Sequence, residues 1–586
     1  MRKTINPVRI RCRGALIIVG YQKQIVRSPF FTYVLSFLLL GSCLCHPPKA
    51  LAQADCLTPT PPMGWNAWNI FQGDIDEQKI KAIADAMVSS GMKEAGYEYV
   101  VIDDLWHQGR IAGGWNNHPQ DIVGRDENGR LIPDPEKFPS GMKALSDYIH
   151  SRGLKFGIYT APGRKTCAYA PGSEGYEATD VQTFVEWGVD FIKLDWCDWI
   201  TDDYQTVLNR WRGLLDAAGR PIVLSINSHR GDDFSFHRTV ANMYRTTTDI
   251  RRVWQYPPEE FRVQASVLDI IDRQEGLEEY HGNCHWNDPD MLQVGNEPFT
   301  DEENRSHFSM WSIFGAPLIA GNDLRTMSEA TTRTLTNREV IAVAQDPAGI
   351  KGVKVAEPQP GLEVYAKRLQ AVGTQAVALL NRTDQEASIT VKWKDLGIQN
   401  QAFVRDLWQH QDQGLFVNEY ATQVPAHGTI VLLVKATEFL GPLPDFRLKP
   451  ADIPGAGLVV ECEGRLCHWE TGRIDDSLQN YSGTGYLISQ NHVWSPFMPV
   501  WRLNLAEGGA YQLTFRYRNL TAQAITYTCN KTDQPVVLRP GSDWQETTVV
   551  GALKPGINWI KVTAPDSQSN EAAFDCMRLS KVRLTR

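Results

Sequence analysis

Short apolar runs that end on polar or acidic residues, separated by stretches of helical periodicity, occupy the chain from about residue 58 to 347. The runs at 97–102, 154–159, 189–194, 221–226 and 243–248 are rich in β-branched and aromatic residues, whereas 77–90, 141–151 and 203–218 repeat apolar positions at helical spacing. Alternation of strand and helix predicts a parallel sheet. Roughly eight such units in about 290 residues favour a closed (β/α)8 TIM barrel, assigned to residues 55–347, over an open doubly wound sheet. No Gly-rich G-x-G-x-x-G turn follows the first strand, which counts against a dinucleotide fold. After residue 347 the period changes to two. Runs at 362–367, 376–380, 388–393 and 429–434 predict an antiparallel β-sandwich over 348–436. A Pro-rich linker, 437–456, leads to a second β-sandwich over 457–586.

The first 54 residues have another pattern. Arg2, Lys3, Arg9, Arg11, Arg13, Lys23 and Arg27 precede an apolar run at 30–45, and Ala52, Gln53 and Ala54 supply small residues at A-x-A spacing. This reads as a signal peptide with an extended basic N-terminus, cleaved after Ala54, and so as a secreted or periplasmic protein. A single anchoring helix is the competing reading, although the run is short for one. Leu40-Gly41-Ser42-Cys43 also fits lipoprotein anchoring. No later stretch is apolar enough to give the mature chain a membrane span.

Composition narrows the partners. The 586 residues carry 59 Lys+Arg against 68 Asp+Glu, a formal charge of −9 that matches phosphate backbones poorly and argues against nucleic acid. Eighteen Trp point weakly to carbohydrate, because indole faces stack on the C–H faces of sugars. Of 11 Cys, Cys56, Cys167, Cys197, Cys284, Cys462, Cys467, Cys529 and Cys576 lie after the leader, an even set that suits disulfides. Zinc is the alternative, but no paired C-x-x-C exists. Nothing in the composition specifies an oligomer.

In a barrel, residues at the C-terminal ends of strands converge on one mouth. Asp103 and Asp104, Asp195, Asp249, and Asp288 and Asp290 all follow apolar runs and so form a candidate ring of carboxylates. Such a ring serves a divalent cation or an acid and nucleophile pair for glycosidic cleavage. Lys193 stands two residues before Asp195, so strand alternation sends both side chains one way, and an adjacent ammonium favours the ionised carboxylate. Arg245 adds a second cation near Asp249, and Trp65, Trp68 and Tyr159 offer aromatic surface. This mixture suits a sugar better than a metal. His107, His229 and His285 are read as scaffold rather than ligands.

Met63-Gly64-Trp65-Asn66-Ala67-Trp68, Ile102-Asp103-Asp104, Gly157-Ile158-Tyr159, Lys165-Thr166-Cys167, Ile192-Lys193-Leu194-Asp195-Trp196-Cys197, Arg245 to Asp249 and Trp286-Asn287-Asp288-Pro289-Asp290-Met291-Leu292 resemble, in order, the motifs of family 27 glycoside hydrolases, the α-galactosidases and their relatives. The resemblance covers about residues 58–436. It implies a retaining α-galactosidase acting on terminal α-D-galactosyl residues of oligo- or polysaccharides, with no cofactor for catalysis. It makes Asp195 the nucleophile and Asp249 the acid/base, about 5–5.5 Å apart. It puts Asp103 and Asp104 on the 4- and 6-hydroxyls, packs Trp68 on the sugar, and lines the pocket with Tyr159, Cys167, Lys193, Asn227, Arg245 and Asp290. It also pairs Cys167 with Cys197. Two departures stand out. Ile226-Asn227-Ser228-His229 replaces the usual Cys-Glu-Trp facing the sugar's 2-substituent, which keeps α-N-acetylgalactosaminidase, β-L-arabinopyranosidase and isomalto-dextranase open as alternatives. Leu105 replaces a Cys common in eukaryotic relatives, and no Cys lies within 71–76 to partner one. A non-catalytic sugar-binding protein is the rival from another class.

The C-terminal segment resembles family 35 carbohydrate-binding modules through 459–463, 481–486, 509–519, 556–560 and 574–576. That resemblance suggests a structural calcium held by Glu461, Glu463 and Asp575. Tyr486, Trp494, Trp501 and Trp544 are candidate sugar platforms, with core packing expected for at least half.

Overall fold

The computed structural model describes residues 56–109, 124–197, 203–227, 234–257 and 264–438 and, with short gaps, 440–581. The leader with its basic residues and its 30–45 run, and also Ser228, His229, Cys462, Glu463 and Trp494, lie outside the described residues. Eight strands, β1 (Met63–Asn66), β2 (Tyr99–Val101), β3 (Lys155–Thr160), β4 (Phe191–Asp195), β5 (Val223–Asn227), β6 (Met243–Arg245), β7 (Trp286–Asp288) and β8 (Leu318–Ala320), form one parallel sheet in the order β7-β6-β5-β4-β3-β2-β1-β8. A parallel bridge between Leu292, just after β7, and Ala320 in β8 joins the two ends and closes the barrel. Every residue of β1, β2, β5, β6, β7 and β8 is buried, as expected for strands covered by helices on one side and by facing strands on the other.

Polar residues beside the apolar runs set the element ends. Asp76 caps the helix Glu77–Ser89 by accepting from the Lys79 N–H at 2.7 Å, and Asp203 caps Tyr204–Ala217 by accepting from the Thr206 N–H at 3.0 Å. Ser266 with Asp269, and Thr300 with Glu303, form reciprocal capping boxes on Val267–Arg273 and Asp301–Phe314. The run at 243–248, expected to be all strand, pairs only as far as Arg245. Past it the threonine hydroxyls replace ladder bonds: Thr246 Oγ1 donates to the Asp288 carbonyl at 3.1 Å and Thr247 Oγ1 to the Pro289 carbonyl at 2.9 Å.

The next domain is antiparallel. Its large sheet holds Leu362–Arg368, Thr374–Asn381 and Thr429–Ala436 among six strands, and Ala387–Lys392 pairs with Glu419–Val424 opposite. Thr374–Asn381 is buried throughout because alternate side chains serve two cores. Ala376, Ala378 and Leu380 join the barrel's cluster, while Val377 and Leu379 join the sandwich's own. The C-terminal domain is a second sandwich of six- and five-stranded antiparallel sheets around Trp501, Leu513, Phe515, Tyr527, Met577 and Leu579.

Two disulfides occur among the described residues. Cys56–Cys284 ties the start of the described chain to the turn before β7, and Cys167–Cys197 joins the loops after β3 and β4. The even cysteine count does not translate into pairs throughout, since Cys467 and Cys529 are buried thiols. No described helix is long and apolar enough to cross a membrane.

Candidate active site

A cavity of about 620 Å³ opens at the C-terminal ends of the barrel strands, lined by Trp68, Asp103, Asp104, Tyr159, Cys167, Lys193, Asp195, Asn227, Arg245, Asp249 and Asp290. The eleven residues that the family resemblance implies at the site therefore face one space, whereas Asp288 of the expected carboxylate ring does not line it. Trp65 does not join them. It is wholly buried, and its indole N–H donates to the Asn322 carbonyl at 2.7 Å. It therefore belongs to the core, whereas Trp68, three residues on, reaches the cavity.

Two groups of side chains build the walls. On the first, Lys193 Nζ donates to Asp103 Oδ2 at 2.8 Å, and Asn66 Nδ2 donates to the same oxygen at 2.8 Å. The expected influence of Lys193 on Asp195 is thus exerted through space, because the ammonium's direct partner is Asp103. Burial opposes the Lys193 charge, but Asp103, Asp195 and Asp290 outweigh it and hold the ammonium above its ordinary range. Asp195 Oδ2 accepts from the Tyr159 hydroxyl at 3.0 Å and lies 3.5 Å from Cys167 Sγ. Asp104 Oδ2 accepts from the Ala168 N–H at 2.8 Å and Oδ1 from the Leu105 N–H at 2.7 Å, while burial pushes its carboxyl up to about 6. On the second wall, Arg245 Nη2 donates to Asp290 Oδ2 at 2.8 Å and Asp249 Oδ1 at 3.0 Å. Gln264 Nε2 approaches Asp249 Oδ2 at 3.3 Å. Asp290 has φ of +100°, a backbone conformation uncommon for a residue with a Cβ. Its N–H donates to Asp288 Oδ1 at 2.9 Å, and its carbonyl accepts from the Trp311 indole at 2.7 Å. Asp288 therefore shapes the turn that presents Asp290.

The metal reading of the carboxylates does not fit. Among the described residues, Cys167, Asp195 and Cys197 form the one group spaced for an ion. Its two sulfurs are bonded to each other and offer no thiolate. His107 is buried and stacked on Trp106 at 3.8 Å, and His285 Nδ1 lies 2.6 Å from the Ala241 carbonyl, so both are scaffold. In place of a disulfide near Leu105, Lys137 Nζ donates to the carbonyls of Gly73 and Leu105, both at 2.9 Å. Lys137 and Gln264 go unmarked in the sequence, since side chains that act through distant partners carry no local motif, and Asn66, although inside the 63–68 motif, shows its role only in its bond to Asp103.

In the C-terminal domain, the Asp575 carboxylate faces the Arg516 guanidinium and accepts from the Ser482 N–H at 2.8 Å and hydroxyl at 3.0 Å. The Arg516 guanidinium thus meets the Asp575 carboxylate that a calcium ion was expected to share with Glu461 and Glu463. Glu461 pairs through its backbone with Cys576; its side chain, like that of Tyr486, lies outside the described residues. Trp501 is wholly buried and belongs to the core. Trp544 has the Arg516 guanidinium 5.4 Å from its ring centre.

Comparison with known proteins gives the same picture. A family profile described as "Alpha galactosidase A" matches residues 60–346, and one described as "Alpha galactosidase C-terminal beta sandwich domain" matches 359–434. "Alpha-galactosidase A" of Cellvibrio japonicus is 42% identical over 415 residues, covering 67% of this chain and 98% of that protein. "Alpha-N-acetylgalactosaminidase" of Gallus gallus is 36% identical over 363 residues, covering 58% of this chain and 84% of that protein. The crystal structure of α-galactosidase I from Mortierella vinacea superposes with a TM-score of 0.60 at 33% identity, covering 65% of this chain and 98% of that one. With its barrel, its sandwich and its site motifs in common with these proteins, the chain belongs to the α-galactosidase family, family 27 of the glycoside hydrolases.

Proposed function

We propose that the protein is a retaining α-galactosidase that removes terminal α-D-galactosyl residues by double displacement. The observation that carries this reading is that Asp195 and Asp249 line one sugar-sized cavity, each attended by a different cation. Asp195, close to Lys193 and accepting from the Tyr159 hydroxyl, is the carboxylate placed to attack an anomeric carbon. Asp249, half-buried and on a loop, protonates the departing oxygen and later takes a proton from water, so the α configuration is retained. A pair used in this way stands about 5–5.5 Å apart, closer than an inverting pair. Asp103 and Asp104 accept hydroxyl protons of the sugar, and Trp68 covers its apolar face. No metal or cofactor enters these steps.

Asn227 keeps a second reading in play. It ends β5 directly beside Asp195, and its buried amide oxygen has no hydrogen-bond partner among the described residues. That acceptor suits a 2-hydroxyl, and equally the N–H of a 2-acetamido group. Activity on N-acetylgalactosaminides is therefore the alternative. The two disulfides support export to an oxidising compartment, and the partly exposed Trp544 supports a sugar-binding role for the C-terminal sandwich. A panel of 4-nitrophenyl α-galactoside, α-N-acetylgalactosaminide and β-L-arabinopyranoside, with the first-formed anomer read by proton NMR, tests the reading. The α-galactoside is expected to react fastest and to give α-galactose first; turnover confined to another substrate, or β-galactose first, overturns it.

A further inference from the structure

The C-terminal sandwich is tied to the loop that carries Asp249. Arg502, 5% exposed, lies in the strand Pro499–Leu505 and sends its guanidinium into the barrel, where Nη1 donates to the Arg273 carbonyl and Nη2 to the Glu275 carbonyl. Lys351, at the start of the middle domain, donates to the carbonyl between them, that of Gln274, at 2.7 Å. Three consecutive carbonyls at the end of the helix Val267–Arg273 are thus held by cations from outside the barrel. The packing is equally close. A Cβ at Gly276 would stand 2.8 Å from both Asn504 Nδ2 and Ile557 Cγ1, and Ile557 belongs to the barrel's apolar cluster.

The clamped residues point the other way with their side chains. Arg273 Nη1 donates to Thr248 Oγ1 at 2.8 Å, and Gln274 Nε2 donates to Thr246 Oγ1 at 3.0 Å. Thr246 and Thr248 flank the turn between Arg245 and Asp249. The other anchors of that turn come from the barrel itself, through Asp288, Pro289 and the Ala265 N–H on the Asp249 carbonyl at 2.9 Å.

We infer that Arg502 is a positioning residue for Asp249, so that the C-terminal domain fixes the proton-transfer group of a site to which none of its described residues contributes lining. The inference rests on the α-galactosidase reading. An Asp249 held loosely by about 1 Å costs proton transfer more than it costs attack by Asp195. The loss therefore depends on the leaving group. A galactosyl disaccharide needs its leaving oxygen protonated, whereas 2,4-dinitrophenolate leaves without help.

The test compares kcat/KM of the full-length protein and its variants on an α-galactosyl disaccharide and on 2,4-dinitrophenyl α-galactoside, with Tm measured alongside. In Arg502→Met, the disaccharide is expected to lose about 10-fold and the dinitrophenyl substrate less than about 2-fold. Arg502→Lys, which can serve only one carbonyl at a time, should recover part of the loss. Thr248→Val, which cuts the Arg273 link to the turn while leaving the Gln274–Thr246 link and the interface whole, should reproduce part of the selective loss even if Arg502→Met does not fold. Equal losses on both substrates, or no loss in either Arg502→Met or Thr248→Val, would overturn the inference. A wild-type protein inert on both substrates would instead remove the α-galactosidase reading itself.

Discussion

Asp195 and Asp249 face the same cavity from supports of different kinds. Asp195 is the last residue of a barrel strand, is 6% exposed, and sits against Tyr159 and a disulfide. Asp249 hangs on a turn, with a side chain 44% exposed and partners drawn from Arg245, Gln264 and, at one remove, the C-terminal domain. A strand end fixes a nucleophile by backbone pairing alone, because β3 and β5 flank β4 and set its register. A proton-transfer group has to meet leaving groups of differing shape, and an open turn secured by side chains allows that. The difference teaches that mutations near the two residues should fail in different ways.

The largest separation is expected from the residues themselves. Asp195→Ala should lose about 10⁴-fold or more in kcat on every α-galactoside, whatever its leaving group, as removal of a covalent nucleophile does. Azide added to this variant can attack only from the vacated side and should give the β-galactosyl azide. Asp249→Ala should lose about 10²–10⁴-fold on disaccharides, far less on the dinitrophenyl substrate, and give the α-galactosyl azide by attack on the covalent intermediate. Product NMR distinguishes the two, and identical products would erase the comparison.

Tyr159→Phe sharpens it on the Asp195 side. A hydroxyl that donates to a carboxylate stabilises the anion, so its removal raises the Asp195 pKa and moves the acid limb of kcat/KM to higher pH. A loss of about 10-fold near the acid limb and little change at pH 8 is expected. Lys137→Met should destabilise the first wall by about 1–3 kcal/mol in thermal or urea unfolding, since two carbonyls lose a charged donor.

The smallest effect is the pH dependence of Asp104. Burial raises its native pKa to about 6 from 3.8, so between these values the folded protein holds a proton that the unfolded chain has released. Its contribution to stability is present below pH 3.8, falls as pH rises, and is lost above about 6. Asp104→Asn should flatten the stability curve between pH 4 and 6 by an amount on the order of 1–3 kcal/mol. A curve as steep as that of the wild type would show that another group titrates there.

Much of this was legible in the sequence, and the rest was lost for physical reasons. Strand alternation correctly sent Lys193 and Asp195 to one side, and the apolar runs located β3, β4 and β5 to within a residue or two. The same alternation says nothing about which charges meet across the barrel, so Lys193 was matched with Asp195 although its ammonium bonds Asp103. The run at 243–248 has strand propensity throughout, but the hydroxyls of Thr246 and Thr247 bond the carbonyls of Asp288 and Pro289, and the strand ends at Arg245. Trp65 and Trp68 look alike in sequence, and only packing against Asn322 separates core from cavity. Arg502 reaches a carbonyl 229 residues away, a link that no local pattern encodes.

Trapping the covalent intermediate tests the central claim most directly. The protein is inactivated with 5-fluoro-α-D-galactosyl fluoride, digested and mapped by tandem mass spectrometry. The account predicts one fluorogalactosyl adduct, on Asp195. An adduct on Asp249, Asp103 or any other carboxylate, or full turnover with none formed, would contradict it.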